Sequence, residues 1–206
     1  GYLDLTAGAL CRAGVDVCRT AAGFTVAGDY ALPARVRVEG DWSNAAFWLC
    51  AGAIGPQPMT VTGLDPSSSQ GDRAVVELLR RFGAQVTADG EAVTAAPGPL
   101  TGIELDAGPV PDLIPPLAVV AALARGETHI YNAGRLRLKE SDRLAAVTAL
   151  LTGLGAAVEE RPDGLVIRGG ALHGGHADAC GDHRIAMAAA IAAGGAGGPV
   201  TLAGAE

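Results

Sequence analysis

The chain has 206 residues, of which 49% are hydrophobic and 18% charged, a balance typical of a globular protein rather than a disordered one. The net charge of −7 at pH 7 argues against a nucleic-acid partner, so an anionic ligand would need a locally positive site. The 4 cysteines form no C-x-x-C pair and no apolar run is long enough to span a bilayer, which predicts a cytoplasmic protein with reduced thiols, no zinc site and no membrane span.

The start of the chain, residues 1–40, is predicted to hold the end of a repeated unit. A helix is expected over residues 5–13, followed by strands near residues 24–26 and 36–38. A domain boundary is predicted just before Asp41, because the partial early copy of the unit gives way there to fuller copies.

Three aspartates, Asp41, Asp112 and Asp182, each precede an apolar segment at intervals of about 70 residues. Aspartate is a favourable N-cap, so each is predicted to start a helix. A short run of β-type residues follows each helix. These runs are residues 59–62, 128–131 and 200–202. Because repeats about one axis place equivalent helix starts at one end of a domain, we expect the three aspartates to share that end.

A second helix and a hairpin complete the unit in its first two copies. The helices are predicted over residues 72–84 and 142–156, with Gly83 and Gly155 at their C-termini. Asp-Gly dipeptides then separate pairs of β-type runs, which is a hairpin signal. With a lead-in strand at residues 103–105, the unit reads β-α-β-α-β-β, an α/β (α+β) arrangement whose third copy breaks off at the end of the chain.

The most informative charged segment is RLRLKESDR, residues 135–143, which lies between a predicted strand and a predicted helix. Such junctions are where α/β folds tend to bind ligands. Lys139 is the one lysine of the chain, Glu140 offers a carboxylate for proton transfer, and Arg143 falls in a first helical turn, which favours anions. The alternative is a solvated, charged first turn capped by Ser141.

A second cluster opens the last apolar helix with Asp182, His183 and Arg184. Arg184 stands where the helix dipole disfavours a cation, which indicates an anion that it meets. The alternative is a surface ion pair between Asp182 and one of its two neighbours. Asp112, at the equivalent place in the middle copy, is either an N-cap or a carboxylate that accepts a hydroxyl proton.

At this point the sequence resembles a known family, the 5-enolpyruvylshikimate-3-phosphate synthases. The LKESDRLAA segment at residues 138–146 resembles their K-E-[ST]-D-R signature, and GDHRIAM at residues 181–187 resembles their D-H-R-[IM]-A-M segment. VEGDWSNAA at residues 38–46 and GYLDLT at residues 1–6 are similar to two further segments of the family's C-terminal half.

The resemblance implies a two-domain enolpyruvyl transferase fold, with three β-α-β-α-β-β units around a pseudo-threefold axis in each domain. Residues 1–40 would end the preceding domain, and residues 41–206 would form a C-terminal domain that is incomplete in its third unit. The implied reaction joins phosphoenolpyruvate to the 5-hydroxyl of shikimate 3-phosphate, without a metal or an organic cofactor. A chain that begins at Gly1 without methionine is interpreted as a fragment that needs the missing N-terminal half.

The resemblance also implies roles for three proton-transfer residues. Glu140 would move a proton on and off the methylene carbon of phosphoenolpyruvate. Lys139 would contact the reacting hydroxyl, and Asp112 would accept its proton.

Three further residues are implied to bind the substrates. Arg143 and Arg184 would hold the carboxylate and phosphate of phosphoenolpyruvate, and Tyr2 would contact the phosphorylated ring. Arg135 occupies a position that is often asparagine in the family, so no asparagine role is carried over. The alternatives are a UDP-N-acetylglucosamine enolpyruvyl transferase, a non-catalytic binding fragment and, against the net charge, a nucleic-acid-processing protein.

Overall fold

The computed structural model describes residues 2–205, and the side chains of residues 3–205. The helices are α1 Tyr2–Arg12, α2 Trp42–Ile54, α3 Val75–Phe82, α4 Ile114–Leu123, α5 Arg143–Gly153 and α6 His183–Gly195. The strands are β1 Val17–Thr20, β2 Gly23–Val26, β3 Met59–Val61, β4 Gln85–Asp89, β5 Ala92–Ala96, β6 Glu104–Asp106, β7 Glu127–Tyr131, β8 Ala157–Arg161, β9 Gly164–Arg168, β10 Gly175–Asp178 and β11 Val200–Ala203.

The predicted order of elements in the repeated unit is confirmed. In the second unit the elements follow in the order β6, α4, β7, α5, β8 and β9. Its four strands form a sheet of order β6-β7-β9-β8, in which β6 and β7 are parallel and the other neighbours are antiparallel. The first unit has α2, β3, α3, β4 and β5, with a sheet of order β3-β5-β4. The third has β10, α6 and β11, whose two strands are parallel.

The centre of the fold is formed by one helix from each unit. Helices α2, α4 and α6 pack against one another, and together they supply much of the hydrophobic core. Every residue of α4 from 114 to 122 is buried, so this helix is apolar all round rather than amphipathic. Alanine occurs in all three helices and is most frequent in α6, and small side chains let central helices approach closely. This arrangement places the three helix starts at one end of the core.

The second helix of each of the first two units lies outside this centre. Helix α3 buries the four apolar residues of one face, Val75, Leu78, Leu79 and Phe82, and exposes its charged residues. Helix α5 packs against α4 and α6 and also contacts β8 and β10, so it joins the second unit to the third. Gly83 ends α3 at φ 103°, a conformation that glycine adopts at little steric cost.

One face of the core is open in the described chain. Trp48 of α2 is 59% exposed, whereas Val119 of α4, which also stands seven residues after the aspartate of its unit, is 0% exposed. Trp48, Phe47, Met187 and Ile191 line an apolar groove of about 360 Å³ between α2 and α6. No second helix of the third unit covers this groove among the described residues, so the fold is an incomplete set of three units.

One strand prediction is wrong, and the strands β1 and β10 were not predicted. Residues 36–38 form no strand, and Val36 and Val38 are exposed on an irregular segment, because no described strand lies beside them to share a hydrogen-bond ladder. The strand β10 was not predicted, since its sequence, GHAD, lacks the β-branched and aromatic residues that signal strands.

Two of the predicted caps are confirmed and two are wrong. Asp41 accepts hydrogen bonds from the backbone N–H groups of residues 43 and 44, and Asp182 accepts one from Arg184 N–H at 2.9 Å. Asp112 does not cap α4; it lies in a 3-10 turn, Pro111–Leu113, that precedes the helix. Helix α5 is capped by Asp142 rather than by Ser141. Among the described helices, none combines the length and hydropathy needed to cross a bilayer.

Candidate active site

Asp112 is the point on which three predicted cations converge. Its Oδ1 lies 3.1 Å from Lys139 Nζ and 2.8 Å from Arg143 Nη1, and its Oδ2 lies 3.7 Å from Arg184 Nη2. The carboxylate comes from the turn before α4, whereas the cations come from the segment before α5, from α5 and from α6. The sequence left open whether Lys139 and Arg143 reach the end of the core shared by the three helix starts. Both residues reach it, through Asp112.

Arg143 is the most deeply buried cation of this cluster, with a side chain that is 1% exposed. Its Nε and Nη2 donate to the two carboxylate oxygens of Asp182 at 2.8 and 3.2 Å, and Nη2 also donates to Glu140 Oε2 at 2.5 Å. Burial alone lowers the pKa of Arg143, but the hydrogen bond and charge of Asp182, with Glu140 and Asp112, outweigh burial and raise it. Each of its three nitrogens therefore donates to at least one carboxylate.

Asp182 links the starts of two helices through one carboxylate. Its side chain is 0% exposed, and besides Arg143 it accepts from Ser141 Oγ at 3.0 Å and from the Arg184 backbone N–H at 2.9 Å. Burial alone raises the pKa of Asp182, but these hydrogen bonds and the Arg143 charge lower it overall. The alternative of a surface ion pair is wrong, because the carboxylate is inside the protein. The sequence indicated Asp182 as a cap or a surface ion-pair partner, although its equivalence to Asp112 was a signal for a larger role.

A cavity of about 540 Å³ opens beside this cluster. It is lined by Leu5 of α1 and by polar residues that come from all three units. The polar side chains are Ser43, Gln70, Asp72, Asp112, Arg135 and Arg184. The cavity therefore carries two carboxylates and two guanidinium groups, and it borders the three helix starts that the repeat predicted at one end.

Arg184 and Arg135 line the cavity, whereas Arg143 is buried against carboxylates. Arg184 Nη1 is buried, and no hydrogen-bond partner for it occurs among the described residues. Arg135 also lines the cavity, although the sequence indicated no role for it. A guanidinium with unused donors at a cavity wall can bind a carboxylate or phosphate in a bidentate manner.

Asp112 is in the state that a base requires. Burial alone raises its pKa, but the charges of Arg184, Lys139 and Arg143, with the hydrogen bond from Lys139, lower it overall. The carboxylate is therefore ionised near neutral pH and faces the cavity. A positioned carboxylate of this kind can accept a proton from a hydroxyl group bound beside it.

The remaining predicted residues are placed differently. Glu140 is 51% exposed and contacts the cluster through Arg143. The side chain of Tyr2 lies outside the described residues. Among the described residues, no group of three or more His, Cys, Asp or Glu side chains is arranged to hold a metal ion.

Comparisons with known proteins agree on one family. A family model described as EPSP synthase (3-phosphoshikimate 1-carboxyvinyltransferase) matches residues 2–206. The chain is similar to the 3-phosphoshikimate 1-carboxyvinyltransferase of Methanopyrus kandleri, with 44% identity over 92% of this chain and 44% of that protein. It is also similar to the protein of the same name from Halobacterium salinarum, with 43% identity over 100% of this chain and 50% of that protein.

A solved structure gives the same result for the fold. The EPSP synthase of Acinetobacter baumannii superimposes with a TM-score of 0.81 and 28% identity, over 95% of this chain and 49% of that one. The chain thus spans about half the length of the curated relatives it matches. The incomplete third unit and the exposed groove between α2 and α6 agree with this coverage.

Proposed function

The chain belongs to the EPSP synthase family, and from that premise we propose that it supplies one wall of an active site for enolpyruvyl transfer. The enolpyruvyl group of phosphoenolpyruvate would pass to the 5-hydroxyl of shikimate 3-phosphate, a step of the shikimate pathway. The observation that carries this proposal is the convergence of Lys139, Arg143 and Arg184 on the carboxylate of Asp112 beside a polar cavity.

The proposed proton transfers use the two carboxylates that the family resemblance implies. Asp112 accepts the proton of the 5-hydroxyl while that oxygen bonds to the central carbon of phosphoenolpyruvate, and Lys139 stabilises the charges that develop. Glu140, which lies next to Lys139 on a half-exposed turn, donates a proton to the methylene carbon and later removes one from the resulting methyl group. Phosphate then leaves from the tetrahedral intermediate and the double bond re-forms.

The two arginines take unequal parts in anion binding. Arg184 lines the cavity with a side chain that is 13% exposed, so it is the first contact for the carboxylate or phosphate of phosphoenolpyruvate. Arg143 is held by three carboxylates, and it reaches a ligand only if Glu140 or Asp112 releases one of its nitrogens. Its main part in this proposal is to keep Asp112 ionised and in place.

The chain would act as part of a larger protein. Residues 1–40 would end a preceding domain, and residues 41–206 would form the C-terminal domain, with Tyr2 contributed to the bound ring from the preceding part. The coverage of about half of each relative supports an N-terminal half as the partner that closes the cavity. The cytoplasm is the proposed location, as a shikimate-pathway step would require.

Phosphate release with the two substrates tests the proposal. The chain combined with an N-terminal half of the family should release phosphate only when shikimate 3-phosphate and phosphoenolpyruvate are both present. The isolated chain should bind phosphoenolpyruvate weakly and should not turn over. Turnover with UDP-N-acetylglucosamine instead of shikimate 3-phosphate would establish the alternative acceptor. No phosphate release with either acceptor would leave a non-catalytic binding domain.

A further inference from the structure

An Asp-Arg dipeptide occurs at the same place in each of the first two units, but its side chains point in opposite directions. In the second unit Asp142 caps α5 at the surface, and Arg143 points inward to the carboxylate cluster. In the first unit Arg73 points outward to a backbone carbonyl, and Asp72 points inward. The two units therefore bring opposite charges to the same end of the core, although their sequences match at this place.

Asp72 does not cap the helix that follows it. The 3-10 turn Gly71–Ala74 and helix α3 begin without a side-chain cap among the described residues, so Asp72 is not used as an N-cap there. Its Oδ2 instead accepts a hydrogen bond from the hydroxyl of Ser43, in the first turn of α2. The carboxylate is partly buried and lines the cavity that also holds Asp112 and Arg184.

The surroundings of Asp72 disfavour its ionised form. Burial is the largest effect and raises its pKa, and the nearby charges of Asp112 and Asp41 raise it further. The Ser43 hydrogen bond and the charge of Arg184 act in the opposite direction but do not compensate. Arg135 also lines the cavity. The charge of Arg184 is thus one of the influences that favour the ionised form of Asp72.

We propose that Asp72 takes up a proton from solvent when a doubly charged anion binds beside Arg184. The anion adds negative charge to the cavity and shares the guanidinium that Asp72 and Asp112 face. Asp112 stays ionised because Lys139 and Arg143 hold it, so the proton bonds to a carboxylate oxygen of Asp72. The Ser43 oxygen can then accept the hydrogen bond that its hydroxyl donated before. This inference rests on one part of the proposed function, the binding of an anion in the cavity, and adds a protonation step to it.

Sulfate is a suitable probe, because it remains doubly charged while Asp72 titrates. Calorimetric titration of the 206-residue chain with sulfate, in two buffers of different ionisation enthalpy, measures the protons taken up per ion bound. We expect the chain to take up close to about one proton for each sulfate bound. Over the pH interval in which this uptake occurs, the Kd for sulfate should rise by up to about tenfold per pH unit. The Kd rises with pH because protonation of Asp72 favours the sulfate complex, and that proton is lost as pH rises.

Asp72→Asn keeps the shape of the side chain and removes its titration. We expect this variant to bind sulfate without proton uptake, with a Kd that changes less than about twofold between roughly pH 5 and 8. Asp89→Asn, on the exposed tip of the β4–β5 hairpin, is the matched control and should behave like the native chain. Should Asp72→Asn fail to fold, Ser43→Ala gives the same information. The Ser43 hydroxyl lowers the pKa of Asp72 in the free chain, so its loss should raise the pH at which proton uptake begins.

Three results would overturn the inference. They are native-like proton uptake in Asp72→Asn, an unchanged interval in Ser43→Ala, and no sulfate binding by the native chain at any pH tested. The first two leave anion binding, and with it the proposed function, intact. Failure of the phosphate-release assay with both acceptors would instead remove the proposed function while proton-linked sulfate binding remained.

Discussion

Arg143 and Asp182 form a two-point ion pair inside the protein, with Nε and Nη2 donating at 2.8 and 3.2 Å to the two carboxylate oxygens. The residues lie 39 positions apart, one at the start of α5 and the other at the cap of α6. The pair fixes both helix starts relative to each other. It also determines where Arg143 Nη1 meets Asp112 and where the α6 turn presents Arg184. The geometry of the candidate site thus depends on a carboxylate that does not line the cavity.

Asp182→Ala should destabilise the chain strongly, because it leaves the Arg143 guanidinium buried with two of its donors unpaired. We expect a loss of about 3–5 kcal/mol in the free energy of unfolding measured with urea. Asp142→Ala is the matched control, since it removes an exposed cap and surface ion pair, and it should lose only about 1 kcal/mol. Equal losses in the two variants would show that the buried pair does not contribute more than an ordinary cap.

Acid should unfold the chain through the same cluster. The pKa values of Asp182 and Asp112 are lowered in the folded state, so the stability they contribute is fully present above the unfolded-state value of about 3.9. It is lost as pH falls through the folded-state pKa values. The free energy of unfolding should therefore fall below about pH 4, and less steeply in Asp182→Asn. An identical pH profile in this variant would assign acid unfolding to other carboxylates.

Glu140→Gln should lower turnover far more than substrate affinity in the complete enzyme. The amide keeps the size of the side chain and can still accept from Arg143, but it cannot exchange a proton with the methylene carbon. We expect kcat to fall by about 10²–10⁴ with little change in KM. Glu159→Gln, on the exposed strand β8, is the control and should retain full activity. Undiminished kcat in Glu140→Gln would exclude Glu140 from proton transfer.

Two glycines in central helices should respond oppositely to alanine. At Gly52 of α2 a Cβ atom would lie 2.6 Å from the Ala95 carbonyl oxygen and 2.7 Å from Met59 Cβ, so the helix would have to move away from its sheet. At Gly194 of α6 a Cβ atom would meet no described atom within 4 Å. Gly194→Ala should raise the free energy of unfolding by roughly 0.5–1 kcal/mol through helix propensity, and Gly52→Ala should lower it. Thermal unfolding followed by circular dichroism would compare them, and stabilisation by both changes would contradict the close packing at Gly52.

Much of the local structure could be predicted because its causes lie within a few residues. The aspartate caps at positions 41 and 182, the glycine end of α3 and the two Asp-Gly hairpins each depend on short-range hydrogen bonds and backbone freedom. The failures have the opposite origin. A strand needs a neighbour, which residues 36–38 lack among the described residues, and Asp112 faces a cavity instead of capping α4.

The sequence by itself determined the repeated unit, the family and the identity of the charged residues, because periodicity and motif spacing are properties of the chain. Only the tertiary structure decided how those charges are used. It turned Arg143 inward to three carboxylates and left Arg184 with a buried donor at the cavity wall. It also placed Asp72 beside Ser43. Coulomb interactions and desolvation depend on distance in space and on burial, and packing of one unit against the next sets both.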